Sequence, residues 1–348
     1  MKNIAIFQSN LNIGGIQRAL INLLNKIDYE RVSIDLYLSS TNNVFEDEIN
    51  KNVHIYYLKK LPFVSKLIPF SFFNFFYNCA IDKEYDVAID FNFYNKKTSL
   101  DCLNVKAKKK VLWIHNDISL RYKKSIRNRI SYLLNKSKYQ YYDCFVGVSQ
   151  IVLDIFKNRF NFTDKEYLVI NNIIDSTEII RKSKEKHNIT IDNKKVNFCS
   201  VGRLVYQKGY DVLIEHIKKL VKERTDFHWY ILGDGEKRKF LENKIKEYGL
   251  NEYVTLLGYQ NNPYAIMRDM DAFILTSRHE GQPVAFLEAK MLGLPIIMPK
   301  HLEKYMEIGI IGTNDVLKDL LSLEKKKYDA QYDFDLYNQK NLDKIYFL

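Results

Sequence analysis

Glu280 and Glu288 are separated by seven residues, and their surroundings in the sequence point most directly to chemistry. The apolar run 272–276 before them predicts a buried strand, and Gly293 predicts the end of the helix that carries Glu288. Pro283 suits the first turn of that helix. Glu280 is therefore expected in the loop at the carboxyl end of a strand, where open α/β sheets bind ligands and a helix start favours an anion.

A second loop, 202–209, carries two cations, Arg203 and Lys208, directly after the apolar run 196–201. Either residue alone would more often be a solvated surface charge. In one loop at the carboxyl end of a strand they can clamp two neighbouring phosphates, because arginine offers a planar fork and lysine a mobile point charge. The loop is therefore a candidate diphosphate site.

Glycines mark two further loops that follow predicted strands. Gly14 and Gly15 open the first long predicted helix. They form either a tight strand-to-helix turn or a bare backbone that lets a phosphate approach the helix start. Asp234-Gly235 is most simply a turn, and a ligand contact there is the alternative.

One histidine is also a candidate. His115 ends the apolar run 111–115 and precedes Asn116 and Asp117. It is either a capped, partly buried residue or a contact for a sugar hydroxyl at the edge of a cleft.

Short apolar runs alternate with helix-like segments along the chain, which favours parallel, doubly wound α/β sheets. The runs predicted as strands are 4–8, 32–38, 53–58, 87–90, 111–115, 144–148, 196–201, 227–232, 254–257, 272–276 and 295–298. The segment 171–195 turns polar and charged, as connections between domains do. We expect two Rossmann-like domains, 1–172 and 173–330, facing a central cleft. One interpretation of the tail, 331–348, is a terminal helix that packs back across the domains.

The composition, 46% hydrophobic and 27% charged, is typical of a soluble globular protein. No apolar run is long enough to cross a bilayer, and the N-terminus enters a strand without a signal peptide. The cysteines are scattered and form no metal-like or redox pair, which suits the cytoplasm. They are Cys79, Cys102, Cys144 and Cys199.

The net charge of +11 indicates an acidic partner, which could be nucleic acid, anionic lipid or a phosphorylated substrate. Nucleic acid is not expected, because no recognition motif is present and the basic residues are spread out. The segment 59–77 mixes aromatic residues with lysines, and 121–129 is a basic run. Both fit either contact with an anionic membrane surface or helices packed on the sheet with a solvated basic face.

Three strings together give the chain a family resemblance. They are Gly202-Arg203 with Lys208-Gly209, Leu232-Gly233-Asp234-Gly235, and Glu280-Gly281-x-Pro283 with Glu288-Ala289. The chain resembles the retaining nucleotide-sugar glycosyltransferases of family 4, from Gly14 to about Pro299. Those enzymes have two Rossmann-like domains in the architecture called GT-B. The resemblance makes 1–172 the acceptor domain and 173–330 the nucleotide-sugar donor domain.

The resemblance implies a role for each matching residue. Arg203 and Lys208 would neutralise the donor diphosphate as the sugar leaves, and Gly15, after Gly14, would bring backbone N–H groups close to it. Glu288 would accept hydrogen bonds from the ribose hydroxyls. The loop Gly258-Tyr259 would approach the base.

The resemblance also places Glu280 at the hydroxyls of the transferred sugar and His115 near that sugar. With Arg203 and Lys208, these two complete the set of implied catalytic residues. The backbone next to Glu280 would assist in binding the donor: Gly281, Gln282, Pro283 and Val284.

The family's mechanism is described as front-face attack, in which the donor's phosphate oxygen takes the acceptor's proton. A double displacement would need a carboxylate nucleophile, and Glu280 is the obvious candidate for it. No cofactor and no metal are expected, because we find no Asp-x-Asp metal motif in a loop suited to a ligand. Asp333 and Asp335 have that spacing but lie in the tail, where we interpret them as surface.

The resulting hypothesis is a bacterial retaining hexosyltransferase. It would move a hexose-type sugar from a nucleotide diphosphate donor, preferably a UDP-sugar, to a lipid-linked or saccharide acceptor for capsule, exopolysaccharide or O-antigen. Its place would be the cytoplasm or the inner face of the cell membrane. The alternative is a catalytically inactive GT-B partner or sugar-nucleotide-binding subunit. A dinucleotide-dependent oxidoreductase is disfavoured, because 8–15 lacks Gly-x-Gly-x-x-Gly.

Overall fold

A computed structural model describes residues 1–59, 61–62, 65, 67–92, 94–118, 126–306, 312–324 and 332–348. The chain forms two compact units. The first consists of Met1–Ile173 with Tyr337–Leu348, and the second of Ile174–Leu336. Both are α/β units built on parallel sheets, so the expected fold class is confirmed.

The first unit contains a 7-stranded sheet with the order β3-β2-β1-β4-β5-β6-β7 among the described residues. Its strands are β1 Lys2–Gln8, β2 Val32–Leu38, β3 Val53–Tyr57, β4 Tyr85–Asp90, β5 Ala107–Ile114, β6 Cys144–Gly147 and β7 Glu166–Val169. The strand order reverses between β1 and β4, so the loops after these strands border a crevice at the carboxyl edge.

Helices cover both faces of this sheet. They are α1 Gly15–Lys26, α2 Phe70–Phe76, α3 Lys96–Asn104, α4 Ile126–Asn135 and α5 Gln150–Phe160. Helix α1 is amphipathic, and its buried Leu20 and Leu24 join Ile4 and Ile6 of β1 in one core cluster. This packing fixes the start of α1 beside the end of β1.

The second unit contains a 5-stranded sheet with the order β10-β9-β8-β11-β12 among the described residues. Its strands are β8 Val196–Val201, β9 Phe227–Leu232, β10 Val254–Gly258, β11 Ala272–Ile274 and β12 Ile296–Ile297. Its helices are α6 Ser176–Ser183, α7 Tyr210–Leu220, α8 Arg238–Glu247, α9 Pro263–Arg268, α10 Val284–Met291 and α11 Val316–Ser322. Here the order reverses between β8 and β11, so the loops after these two strands meet.

The segment 171–195, expected to be a polar connection between domains, contains the helix α6, which was not predicted. The side chain of Asp175 caps this helix by accepting a hydrogen bond from the Glu178 N–H. Ile179 is buried in the second unit. The strand β7 was also not predicted.

The last helix, α12 Phe334–Phe347, belongs to the first unit from Tyr337 onwards. Leu342, Ile345 and Leu348 are part of that unit's main core cluster. The Nζ atom of Lys2 donates a hydrogen bond to the carbonyl of Tyr346 over 3.0 Å. The tail is therefore an integral layer of the first unit.

Candidate active site

An ion pair joins the two loops at the carboxyl edge of the second sheet. The Nζ atom of Lys208, in the loop after β8, lies 2.7 Å from Oε1 of Glu280, in the loop after β11. The Glu280 side chain is only 5% exposed and that of Lys208 is 18% exposed. Sequence motifs 72 positions apart thus meet where the strand order reverses. A nearly buried carboxylate is held here against an ammonium group that keeps some access to solvent.

Backbone contacts hold these two loops together. Gly209 has a left-handed φ of 67°, and a Cβ atom there would lie 2.1 Å from the carbonyl oxygen of Thr276. The hydroxyl of Thr276 donates to the carbonyl of Gly209 over 3.1 Å. The N–H of Arg278 donates to the carbonyl of Gln207 over 2.8 Å. A side chain at position 209 would therefore force one of the two loops to shift.

A third loop, after β9, packs against the Lys208 loop. A Cβ atom at Gly233 would lie 2.1 Å from the carbonyl oxygen of Gly202. The Leu204 N–H donates to the carbonyl of Asp234 over 3.0 Å. These contacts favour the structural interpretation of the Asp234-Gly235 turn, which supports the cationic loop.

Arg203 is not drawn into this ion pair. Its side chain is exposed and, within the described part of the chain, forms no hydrogen bond or ion pair. Its guanidinium therefore retains its five N–H donors for a ligand.

The second glutamate has a buried partner that the motifs did not reveal. The hydroxyl of Tyr264, on α9, donates to Oε1 of Glu288, on α10, over 2.8 Å. The two residues are 5% and 6% exposed. The bond orients the carboxylate of Glu288. Tyr264 shares no motif with Glu288, so no sequence pattern pointed to their contact.

The remaining donor-site candidates of the second unit lie in two loops, the one that carries Glu280 and the one after β10. Gln282 is 5% exposed and Val284 begins α10. Gly258 ends β10, and its carbonyl accepts from the Gly233 N–H over 2.8 Å. Tyr259 follows it and is 36% exposed. These placements put the Gly258-Tyr259 loop two strands away from β8 in the sheet.

In the first unit, His115 follows β5 and is 5% exposed. Burial lowers its pKa from 6.5 to about 3, and a hydrogen bond with the backbone of Phe91 opposes this only in part. The Nε2 atom has no hydrogen-bond partner among the described residues. A neutral imidazole that donates through Nδ1 leaves Nε2 as a buried acceptor.

Two buried donors lie on the same face of the sheet as His115. The Trp113 ring stacks 6.5 Å from the imidazole, and the Phe91 ring lies 4.4 Å from it. Among the described residues, Trp113 Nε1 and Gln8 Nε2 have no hydrogen-bond partner. Gln8 ends β1, and strand register places it next to Phe91. Sequence reasoning missed both residues. The available signals were that Gln8 is a polar residue at the end of an apolar strand and that Trp113 lies two positions before His115.

Gly14 and Gly15 lie at the start of α1. No side chain caps this helix, so its first N–H groups are open to another acceptor. A Cβ atom at Gly14 would lie 2.4 Å from Oε1 of Gln17, whereas Gly15 has nothing within 4 Å of that position. The space around Gly15 permits a ligand to approach the backbone.

No cluster of three or more metal-binding side chains occurs in the part of the chain that the structure describes. In that same part, no helix is both long and apolar enough to traverse a bilayer. Metal independence stays a prediction.

Residues 181–317, most of the second unit, match the profile of the family Glycosyl transferases group 1. The matched residues include the Lys208–Glu280 pair, Tyr264 and Glu288.

Two relatives extend this likeness along the chain. An uncharacterized glycosyltransferase of Methanocaldococcus jannaschii is 30% identical over 54% of this chain, which spans about half, 47%, of that protein. The N-acetylgalactosamine-N,N'-diacetylbacillosaminyl-diphospho-undecaprenol 4-alpha-N-acetylgalactosaminyltransferase of Campylobacter jejuni is 26% identical, over 86% of this chain and 81% of its own length.

A solved structure matches the whole fold. Anabaena HepE, in complex with UDP and glucose, superposes with a TM-score of 0.72 and 17% identity, covering 100% of both chains. Its identity is low enough that the likeness concerns the fold alone. The chain is thus similar to the family Glycosyl transferases group 1 over most of its second unit and to HepE in its fold.

Proposed function

We propose that this protein is a retaining glycosyltransferase that moves a hexose-type sugar from a UDP-sugar to a lipid-linked or saccharide acceptor in surface polysaccharide synthesis. The observation that carries the proposal is the Lys208–Glu280 ion pair at the point where the strand order of the second sheet reverses. Ligands of open α/β sheets bind at such a point.

The diphosphate would lie against Lys208 and Arg203. The Lys208 ammonium has three donors and uses one on Glu280, so the others can bind phosphate oxygens. Arg203 adds an exposed guanidinium from the same loop. Negative charge grows on the diphosphate as its bond to the sugar breaks, and both cations stabilise that charge.

Glu280 and Glu288 would hold two different parts of the donor. With Oε1 on Lys208, the second oxygen of Glu280 can accept from a sugar hydroxyl. Glu288, oriented by Tyr264, can accept from the ribose hydroxyls. Both carboxylates are nearly buried, so a hydroxyl bound there has little competition from water.

Within the first unit, we propose that His115 contacts a sugar hydroxyl. Its neutral Nε2 accepts a hydrogen bond, and the N–H groups of Gln8 and Trp113 donate. A sugar hydroxyl both donates and accepts, so it is complementary to this mixed set. We include Gln8 and Trp113 in the proposed sugar site for this reason.

We propose retention by front-face attack. The bond between the anomeric carbon and the phosphate oxygen breaks, the acceptor oxygen bonds on the same face, and its proton passes to that phosphate oxygen. The Lys208 ammonium pairs with Glu280 and so weakens it as a nucleophile, which makes a covalent glycosyl–enzyme the less favoured route. The two cations take the place of a divalent metal ion.

Names of similar proteins support the choice of substrates. HepE was solved with UDP and glucose, and the Campylobacter relative is named for a diphospho-undecaprenol acceptor. A lipid-linked acceptor of that kind would place the protein at the cytoplasmic face of a membrane.

The test is release of nucleoside diphosphate from a panel of sugar nucleotides, with bacterial membrane extract as acceptor. We expect UDP release from one UDP-sugar and a loss of at least about a hundredfold in Glu280→Ala, as for other lost transition-state contacts. Glu252→Ala, an exposed carboxylate of the same unit, is the control. Equal turnover in the Glu280 variant would refute its role, and donor binding without turnover would establish the inactive-partner alternative.

A further inference from the structure

We propose that α2 and α4 of the first unit form a docking surface for an anionic lipid membrane. This surface, called the α2–α4 face below, consists of Leu67, the exposed side chains of Phe70–Phe76 and those of Ile126–Asn135. The inference concerns membrane binding and goes beyond glycosyl transfer.

Helix α2 exposes three aromatic rings. Phe72, Phe75 and Phe76 are 61%, 82% and 69% exposed, and their spacing puts them on one side of the helix. The Phe76 ring lies 5.2 Å from that of Phe72 and 5.0 Å from that of Phe75. Phe70, fully buried, anchors the opposite side. A contiguous aromatic patch on a water-facing helix indicates an interaction site.

Helix α4 continues the patch. Ile126, Ile130 and Leu133 are 78%, 52% and 61% exposed, at the spacing of one helical stripe. None of the residues of Ile126–Asn135 is buried, so this stripe has no cover within the described chain. The two helices lie in contact with each other.

Charge identifies the partner. The sequence segments 59–77 and 118–142, which contain α2 and α4, carry Lys and Arg residues and no Asp or Glu. Among their described cations, Lys59, Arg127, Arg129 and Lys136 are exposed, whereas Lys138 is buried. Arg127 and Arg129 are exposed beside the apolar stripe of α4. Part of the expected membrane segment 59–77, and 121–125 of the basic run 121–129, lie outside the described residues.

Apolar rings flanked by cations fit a membrane interface, where rings enter the headgroup region and cations meet lipid phosphates. A second copy of the chain would bring the same positive charges together. Nucleic acid would leave the aliphatic stripe of α4 in water. The α2–α4 face therefore fits anionic lipid best among these partners.

The experiment is co-sedimentation of the full chain with vesicles of phosphatidylcholine, with and without 30% phosphatidylglycerol (about a third anionic lipid, as a probe of surface potential). No sugar nucleotide is present, so the result is independent of the transferase proposal. We expect binding to the anionic vesicles that is at least about tenfold tighter than to phosphatidylcholine and weakens with salt.

Two variants test the two halves of the surface. The triple change F72S/F75S/F76S should weaken binding at least tenfold, whereas F347S, an equally exposed ring elsewhere (81%), should leave it unchanged. The pair R127Q/R129Q should weaken binding by about fivefold per cation removed. This second variant keeps the test open if the aromatic variant does not fold.

Equal vesicle binding by wild type and both surface variants would overturn the proposal. So would self-association of the wild type that the triple change abolishes, because it would identify a second copy as the occupant of the α2–α4 face.

Discussion

At the scale of single residues, burial decides what His115 can do. A solvent-exposed histidine is partly charged near neutral pH, but burial lowers the pKa of His115 to about 3. Its imidazole is therefore a neutral acceptor at Nε2, beside the N–H donors of Trp113 and Gln8. That environment suits a neutral hydroxyl and disfavours an anion, which would need a charged partner.

The pKa of His115 makes stability depend on pH. Unfolded His115 takes up a proton below about pH 6.5, whereas folded His115 does so only near pH 3. The contribution of His115 to the free energy of unfolding is thus fully present above pH 6.5. It decreases between pH 6.5 and pH 3, by up to about 1.4 kcal/mol per pH unit. Urea unfolding at pH 7, 6 and 5 should show that His115→Gln lacks this loss. Parallel pH profiles for the two proteins would contradict the burial of a neutral His115.

Residue identities were predictable where a motif carries them. Spacing and residue type singled out Lys208, Glu280 and Glu288, but no pattern showed that Lys208 and Glu280 touch, because 72 positions separate them. Tyr264 and Gln8 were missed for a related reason. Tyr264 matters because its hydroxyl binds Glu288, and Gln8 matters because its buried Nε2 atom has no hydrogen-bond partner among the described residues.

At the scale of elements, the sequence predicted most of the strands because parallel strands buried on both faces are nearly continuous apolar runs. β7 escaped because it is short, ends its sheet, and begins with the exposed Glu166. α6 escaped because it lies in a polar segment whose cap, Asp175, resembles any loop aspartate. Edge strands and short capped helices thus lack the continuous apolar run by which core strands are recognised.

Two glycines allow the energetic cost of the loop contact to be measured separately from the cost of backbone strain. Gly209 and Gly249 have nearly the same φ, 67° and 66°, but only Gly209 faces another backbone; Gly249 has nothing within 4 Å. Gly249→Ala should cost about 1 kcal/mol from the left-handed conformation alone. Gly209→Ala should cost at least about 2 kcal/mol more, because Thr276 must move.

Thermal and urea unfolding of the two glycine variants measure this difference. Gly209→Ala should in addition weaken UDP binding, since the loop carries Lys208. The contact argument fails if both variants lose the same stability.

At the scale of the whole molecule, the chain forms two units, and its last helix returns to the first of them. The tail's weak apolar pattern could not show which sheet it covers, because that depends on contacts more than 150 positions apart. Asn341 Oδ1, for example, accepts from the Asn171 N–H over 2.8 Å, 170 positions away.

Ile345, 1% exposed, tests this arrangement. Ile345→Ala should lower the stability of the first unit by about 2–5 kcal/mol through the cavity it leaves. Hydrogen exchange should rise in Met1–Ile173 and stay unchanged in Ile174–Leu336. Phe347→Ala, on an exposed ring of the same helix, should change neither. Faster exchange confined to the second unit would show that the helix belongs elsewhere.

The most direct test of the proposed site is calorimetric titration of UDP and of uridine into wild type, Arg203→Ala, Lys208→Ala and the exposed control Lys222→Ala. We predict that each site variant binds UDP about tenfold to a hundredfold more weakly, the range for lost hydrogen bonds to charged groups. Uridine, which has no phosphate, should bind all four proteins alike. UDP affinity in Lys208→Ala equal to that of wild type would contradict the diphosphate site.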